Sequence, residues 1–186
     1  MERLLSNVIG FDDAPFAPNF RGNVKVVGAV YAGSRFDGVI LGHIRRDGAN
    51  AAANLARLVA DSKFAEHAQL LMLQGIALGG FNVVDIFALN QCLGFPILLV
   101  ARRAPDLAAI KKALLQHVPG GTRKWALIEG LGAMEPIGQV FVQRVGLTQA
   151  RSTIDRFALY SHIPEPLRTA HLIAGALVHG QSHGRP

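Results

Sequence analysis

The chain has 186 residues, of which half are hydrophobic and 17% charged, and it carries a single cysteine, Cys92. That composition excludes a mainly disordered chain and a disulfide-stapled scaffold, and the length suits one domain, residues 1–186, with its own core. Nineteen Lys+Arg against 13 Asp+Glu give a formal net charge of +6, which favours an anionic partner, nucleic acid first.

The first third reads as three strands. Asn7 to Asp12 is short and apolar and ends in carboxylates; Val24 to Tyr31 is rich in β-branched residues; Val39 to Arg45 follows Asp37-Gly38. Short turns between them predict an antiparallel meander. The period then changes to helical from Asn50 to about Asp61, with Leu55, Leu58 and Val59 on one side. Gln69 to Leu73 is a continuous apolar run, as a buried strand requires. Asn82 is placed to cap a helix over Val83–Leu93, closed by Gly94 and Pro96. Pro96 to Ala101 is a second buried strand, and strand, helix and strand in that order form a parallel βαβ unit.

Asp106 caps a helix carrying Leu107, Ile110 and Leu114, stopped by Pro119-Gly120-Gly121. Trp125–Ile128 and Gln139–Val145 read as further short strands. Thr148 opens a helix to about Ser161, and a last helix runs from Pro164-Glu165-Pro166 to Gly180. The greasiest stretch, Leu70 to Ala101, is interrupted by Gln74, Gly79-Gly80, Asn82, Asp85, Asn90 and Pro96. It falls short of the roughly 18 consecutive apolar residues of a membrane span. No signal core precedes Asp12, so the expectation is a cytoplasmic protein without a membrane segment. The element order predicts a ribonuclease H-like α/β domain: a mixed sheet, antiparallel meander first and parallel strands after it, flanked by helices.

Several residues carry candidate chemistry. Asp12 and Asp13 end the first strand, where a carboxylate can ligate a hard cation such as Mg²⁺. Side chains alternate along a strand, so the pair need not share a face, and one of them can serve the following turn. Asp47-Gly48 follows the third strand and brings a further carboxylate, or an ordinary turn. Gln74-Gly75 ends a central strand, where open α/β sheets bind ligands. Gly79, Gly80 and Asn82 offer backbone amides to a phosphate, or a tight turn before a helix. Arg102 and Arg103 follow the next strand and suit phosphates at a rim, or a solvated edge. His171 shares the apolar side of the last helix with Leu167, Ala174 and Val178, as a structural histidine or a proton carrier.

Four stretches together resemble one family. They are V-I-G-F-D-D-A-P-F near the start, L-L-M-L-Q-G-I-A-L-G-G-F-N-V-V-D-I in the middle, G-F-P-I-L-L-V-A-R-R after it, and I-P-E-P-L-R-T-A-H-L-I-A near the end. The chain resembles the endonuclease dU family, which is similar to endonuclease V, a metal-dependent nuclease acting at deaminated bases. The resemblance implies hydrolysis of a DNA phosphodiester near deoxyuridine with Mg²⁺ or Mn²⁺. It implies Asp12 as principal metal ligand, Asp47 as a second carboxylate, Gln74 at a third ligand position and His171 as an auxiliary group. Three residues depart from the family pattern: Gln74 stands where Asp is usual, Gln181 where Glu is expected and Ala14 where Gly is usual. Two missing carboxylates weaken a cation site, so a relative that binds nucleic acid without cleaving it is the second reading. A homo-oligomer formed through the sheet edge or the last helix is the third. The nuclease reading predicts that Asp12, Gln74 and Asp47 meet at one end of the sheet, with the strands ending at Asp12 and Leu73 adjacent and parallel.

Overall fold

The computed structural model describes residues 5–183. Its main sheet has seven strands: β1 Asn7–Asp13, β2 Asn23–Ala32, β3 Arg35–Arg45, β4 Leu70–Gln74, β7 Ile97–Ala101, β8 Glu135–Ile137 and β9 Val140–Val145. The spatial order is β3-β2-β1-β4-β7-β9-β8. Strands β1, β2 and β3 form the antiparallel meander, β1, β4 and β7 run parallel, β9 lies antiparallel to β7, and β8 closes the far edge antiparallel to β9. A two-strand hairpin, β5 Ala77–Leu78 with β6 Asn82–Val83, follows β4.

The helices are α1 Ala51–Ala60, α2 Ile86–Leu93, α3 Leu107–His117, α4 Gly121–Leu131, α5 Ala150–Phe157 and α6 Glu165–His179. Alternation along the central strands divides the core into two layers. Ile9, Phe11, Leu71, Leu73, Ile97 and Leu99 pack with Leu55 and Val59 of α1 and Ile86 and Leu89 of α2. Val8, Leu70, Met72, Leu98 and Val100 face the other way, onto Ile154 and Phe157 of α5 and Leu167 of α6. Both sides of β4 and β7 are buried, which is why these strands read as unbroken apolar runs.

Two glycines set how closely helices approach. A Cβ on Gly10 would lie 2.5 Å from the Pro166 carbonyl carbon, so α6 rests directly on the backbone of β1. A Cβ on Gly121 would lie 1.8 Å from the Leu114 carbonyl oxygen, so α4 begins against the end of α3.

The structure corrects several expected elements. Trp125–Ile128 is the middle of α4, not a strand: Gly121, Lys124 and Ile128 are buried at helical spacing, and Ile128 joins Leu114 and Val83 in a satellite core. A four-residue apolar run has no period of its own to separate the two readings. Asn82 does not cap α2. It is fully buried in β6, and Asp85 caps the helix by accepting from the Ala88 amide at 3.0 Å. Helix α5 is shorter than the stretch from Thr148 to Ser161, ending at Phe157. The expected ends at Gly94 and Gly180 hold, both residues being left-handed with φ of 73° and 76°. Asp106 caps α3 as its sequence position suggests, accepting from Ala109 at 2.9 Å. No helix among the described residues is long and apolar enough to cross a membrane.

Candidate active site

Strands β1, β3, β4 and β7 all point the same way, since β3 is reached from β1 by two antiparallel steps. Their carboxyl ends therefore share one end of the sheet. Asp12 and Asp13 end β1, Asp47 follows β3, Gln74 ends β4, and Arg102 and Arg103 follow β7. This is the end at which crossover sheets bind ligands.

The two aspartates part at this point. Asp12 belongs to the face covered by α6. Its Oδ2 lies 2.8 Å from His171 Nδ1, and its Oδ1 accepts from the Asp13 amide at 2.9 Å. Asp12 is 6% exposed, and His171 reaches it from the helix turn that follows Leu167. The β1–β4 register pairs Phe11 with Leu73, so Asp12 and Gln74 come next to each other. Alternation sets Gln74 on the same side as Leu70 and Met72, the α6 side. Gln74 Oε1 is buried and has no hydrogen-bond partner. A buried carbonyl oxygen left unpaired is costly, and it is the type of donor that a hard cation or a substrate hydrogen would satisfy.

Asp13 turns to the opposite face. Its Oδ2 accepts from the Gly79 amide at 2.9 Å. Burial and the neighbouring Asp12 charge push its pKa up to about 6, against the partial relief of the Gly79 hydrogen bond. Asp47, in the turn after β3, packs against the same Gly-rich turn. Its amide donates to the Gly79 carbonyl at 2.9 Å and its Oδ1 accepts from the Phe81 amide at 2.8 Å. Asp47 has a left-handed φ of 51°, the one non-glycine residue so placed among those described. Its Oδ2 lies 3.1 Å from Arg46 Nε, an ion-pair distance without hydrogen-bond alignment, so the Nε–H itself stays unpaired. Lys124, almost wholly buried in α4, donates from Nζ to the Asp47 carbonyl. Burial lowers the Lys124 pKa, and the Asp47 charge opposes that shift.

The predicted residues thus fall into two groups. Asp12, Gln74 and His171 meet on the α6 side. Asp47, Gly79 and Gly80 gather with Asp13 on the other side. Among the described residues no group of three or more His, Cys, Asp or Glu is arranged to hold a metal ion. The amides of Gly79 and Phe81 already serve Asp13 and Asp47, so the Gly79 amide is not open to a phosphate as expected. Asn82 does not reach the surface. Its side chain bonds the Arg45 carbonyl at 2.8 Å, Asn50 Oδ1 at 2.8 Å and the Ala51 amide at 3.1 Å, tying the hairpin to the start of α1. Arg102 and Arg103 are exposed at the rim. Gln181 lies past the end of α6 and is exposed. Sequence reasoning missed Lys124, which lies just before the segment read as a strand and has no local signal of its own, and Arg46, whose role depends on loops far apart in the chain.

Residues 5–178 match the endonuclease dU family. The chain belongs to that family. It is 56% identical over 183 residues to the UPF0215 protein of Deinococcus radiodurans, covering 97% of this chain and 93% of that one. A UPF0215 protein of Methanothermobacter thermautotrophicus is 35% identical, with 95% and 90% covered. Among solved structures, a protein of unknown function from Archaeoglobus fulgidus superposes with a TM-score of 0.86 at 32% identity, covering 94% of this chain and 99% of the other. The catalytic domain of human endonuclease V superposes with a TM-score of 0.57 at 13% identity, covering 95% and 83%. The endonuclease dU chain therefore has the ribonuclease H-like fold of endonuclease V.

Proposed function

We propose that this protein is an endonuclease that hydrolyses a DNA phosphodiester near deoxyuridine, with a divalent cation at a site centred on Asp12. The observation that carries the proposal is the grouping of Asp12, His171 and Gln74 at the carboxyl ends of two adjacent parallel strands. Membership of the endonuclease dU family and the endonuclease V fold support it.

The donor set fits one hard cation of modest affinity. Asp12 supplies a buried carboxylate, and the unpaired Gln74 Oε1 supplies a neutral oxygen. Mg²⁺ is commonly held by one or two carboxylates, with water and substrate phosphate completing the shell. Bound there, the cation would polarise the phosphate and lower the pKa of an attacking water. The protein's own groups do the positioning. Asp12 orients the His171 ring through Nδ1, leaving Nε2 to exchange a proton at the reacting phosphate. Arg102 and Arg103 stand at the rim to hold flanking phosphates.

A second reading, binding without cleavage, is favoured by the neutral Gln74 and by the separation of Asp47 from Asp12. One experiment divides the two. Cation titration and cleavage of single-stranded oligonucleotides carrying one deoxyuridine would compare the natural chain, Gln74→Asp, and Gln74→Asp with Asp12→Asn. We expect slow cleavage by the natural chain and a gain of about tenfold or more with Gln74→Asp, abolished by Asp12→Asn. Cleavage only after Gln74→Asp favours the second reading. Cleavage indifferent to Asp12→Asn overturns the site.

A further inference from the structure

On the Asp47 side of the sheet a cleft of about 580 Å³ opens between the β1–β2 loop and the turn after β3. It is lined by Phe20 and Arg21 from the loop, Arg45 from the end of β3, Arg46 from the turn, His117 from the end of α3, and Asp47 as its one acid. Arg21 and Arg45 are exposed and make no ion pair among the described residues. Arg46 is already engaged. Its Nη1 donates to the Phe20 carbonyl, and its guanidinium carbon lies 5.4 Å from the centre of the Phe16 ring. Arg46 thereby fastens the loop to the turn and fixes the cleft's shape. Lys124 adds a buried cation beneath Asp47.

Phe20 is the unusual member. It is 38% exposed in the β1–β2 loop, with Phe16 of the same loop supporting it at a ring separation of 6.3 Å. A phenyl ring left open to water beside unpaired arginines is the combination that single-stranded nucleic acid uses. Guanidinium groups take phosphates, and a base stacks on the ring. A duplex keeps its bases stacked and cannot offer one to Phe20. An acidic peptide would use the arginines but has no need of the ring.

We infer that this cleft is a track for single-stranded nucleic acid, in which Arg21 and Arg45 take phosphates and one base lies on Phe20. The inference rests on the nucleic-acid reading above and deepens it, since it names the form of the strand and a second set of binding residues separate from Arg102 and Arg103.

The test is fluorescence anisotropy of a labelled single-stranded oligonucleotide with the full chain, in EDTA, over a range of salt. Chelating divalent cations separates binding from turnover. Arg21→Gln with Arg45→Gln should weaken binding and lower the log–log salt slope by about 1.4, roughly 0.7 for each phosphate no longer neutralised. Phe20→Ala should weaken binding about tenfold with the salt slope unchanged, and Phe20→Trp should restore it. Arg35→Gln with Lys63→Gln, at the opposite end of the sheet, serves as the charge-matched control and should change little. If the natural chain binds but the cleft variants match the control, the inference falls while the nucleic-acid reading stands. If base-free polyphosphate or a duplex binds equally well, and Phe20→Ala has no effect, the cleft is only an anion patch and the inference is overturned. No binding by the natural chain at low salt removes both readings.

Discussion

Asp12 and Asp13 are adjacent in the chain and end up in different environments. Asp12 faces a helix and pairs with His171 across 159 residues of sequence. Asp13 faces a backbone turn, where Gly79 donates to it and Asp47, from the turn after β3, bonds to the same loop. One face has a side-chain partner with two ring nitrogens and a neighbouring unpaired amide oxygen, the grouping on which the proposed active site rests. The other has carboxylates consumed by main-chain amides, the equipment of a rigid turn. A single β-strand step separates the two roles. The same residue type therefore carries different chemistry according to which layer covers it.

The strongest way to break this comparison is to lift α6 from the sheet. Gly10→Ala sets a Cβ 2.5 Å from the Pro166 carbonyl carbon and 2.7 Å from the Leu167 nitrogen, both backbone atoms that cannot yield locally. We expect a loss of about 3 kcal/mol in urea unfolding. The His171 ring signals by NMR should also shift as the Asp12 pairing opens. The matching change on the other face, Gly80→Ala, combines a φ of +81° with a Cβ 2.4 Å from Asp47 Oδ1. Its obstacle is a side-chain oxygen, so the expected loss is smaller, about 1–2 kcal/mol. His171 should be undisturbed, and equal losses at the two glycines would mean that the faces are not independent.

Asp13 sharpens the contrast through pH. Its folded pKa of about 6 lies above the ordinary carboxylate value of 3.8. Between those values the folded state holds the extra proton, so stability from this group is fully present below about pH 4. It is lost as pH rises through about 6. Asp13→Asn keeps an acceptor for the Gly79 amide and removes the charge. In metal-free buffer the variant should gain about 1–2 kcal/mol over the natural chain at pH 8 and match it near pH 4. A variant that is less stable at pH 8 would show that the Gly79 hydrogen bond to a charged acceptor outweighs desolvation.

The smallest effect is expected at His171, which is partly solvated. His171→Ala removes one side-chain hydrogen bond and should cost about 1 kcal/mol by thermal or urea unfolding. If His171 moves a proton in the reaction, cleavage should fall by about a hundredfold, far out of proportion to stability. A fall in rate no larger than the stability loss would leave the histidine a structural role only.

Much of the architecture was legible because it is local. Leu70–Leu73 and Ile97–Ala101 announce buried strands by unbroken apolar runs, and Asp106, Gly94 and Gly180 mark helix ends by capping chemistry that needs only neighbours in sequence. Where local signals compete, reading failed. Trp125–Ile128 has too few residues to show a period, and Asn82 looks like a cap because its type suits one, although its amide is fully used inside the fold.

By itself the sequence determined the alternation that separates Asp12 from Asp13, the antiparallel meander followed by a parallel βαβ unit, the basic balance and the neutral side chain at Gln74. All of these follow from residue type and from spacing of a few positions. Tertiary structure alone decided which aspartate meets His171, that Asp47 joins Asp13 and not Asp12, and that Phe20, Arg21 and Arg45 border one cleft. Those outcomes depend on the handedness and packing of whole layers, set by close backbone approaches such as Gly10 against Pro166, and no short stretch of residues encodes them.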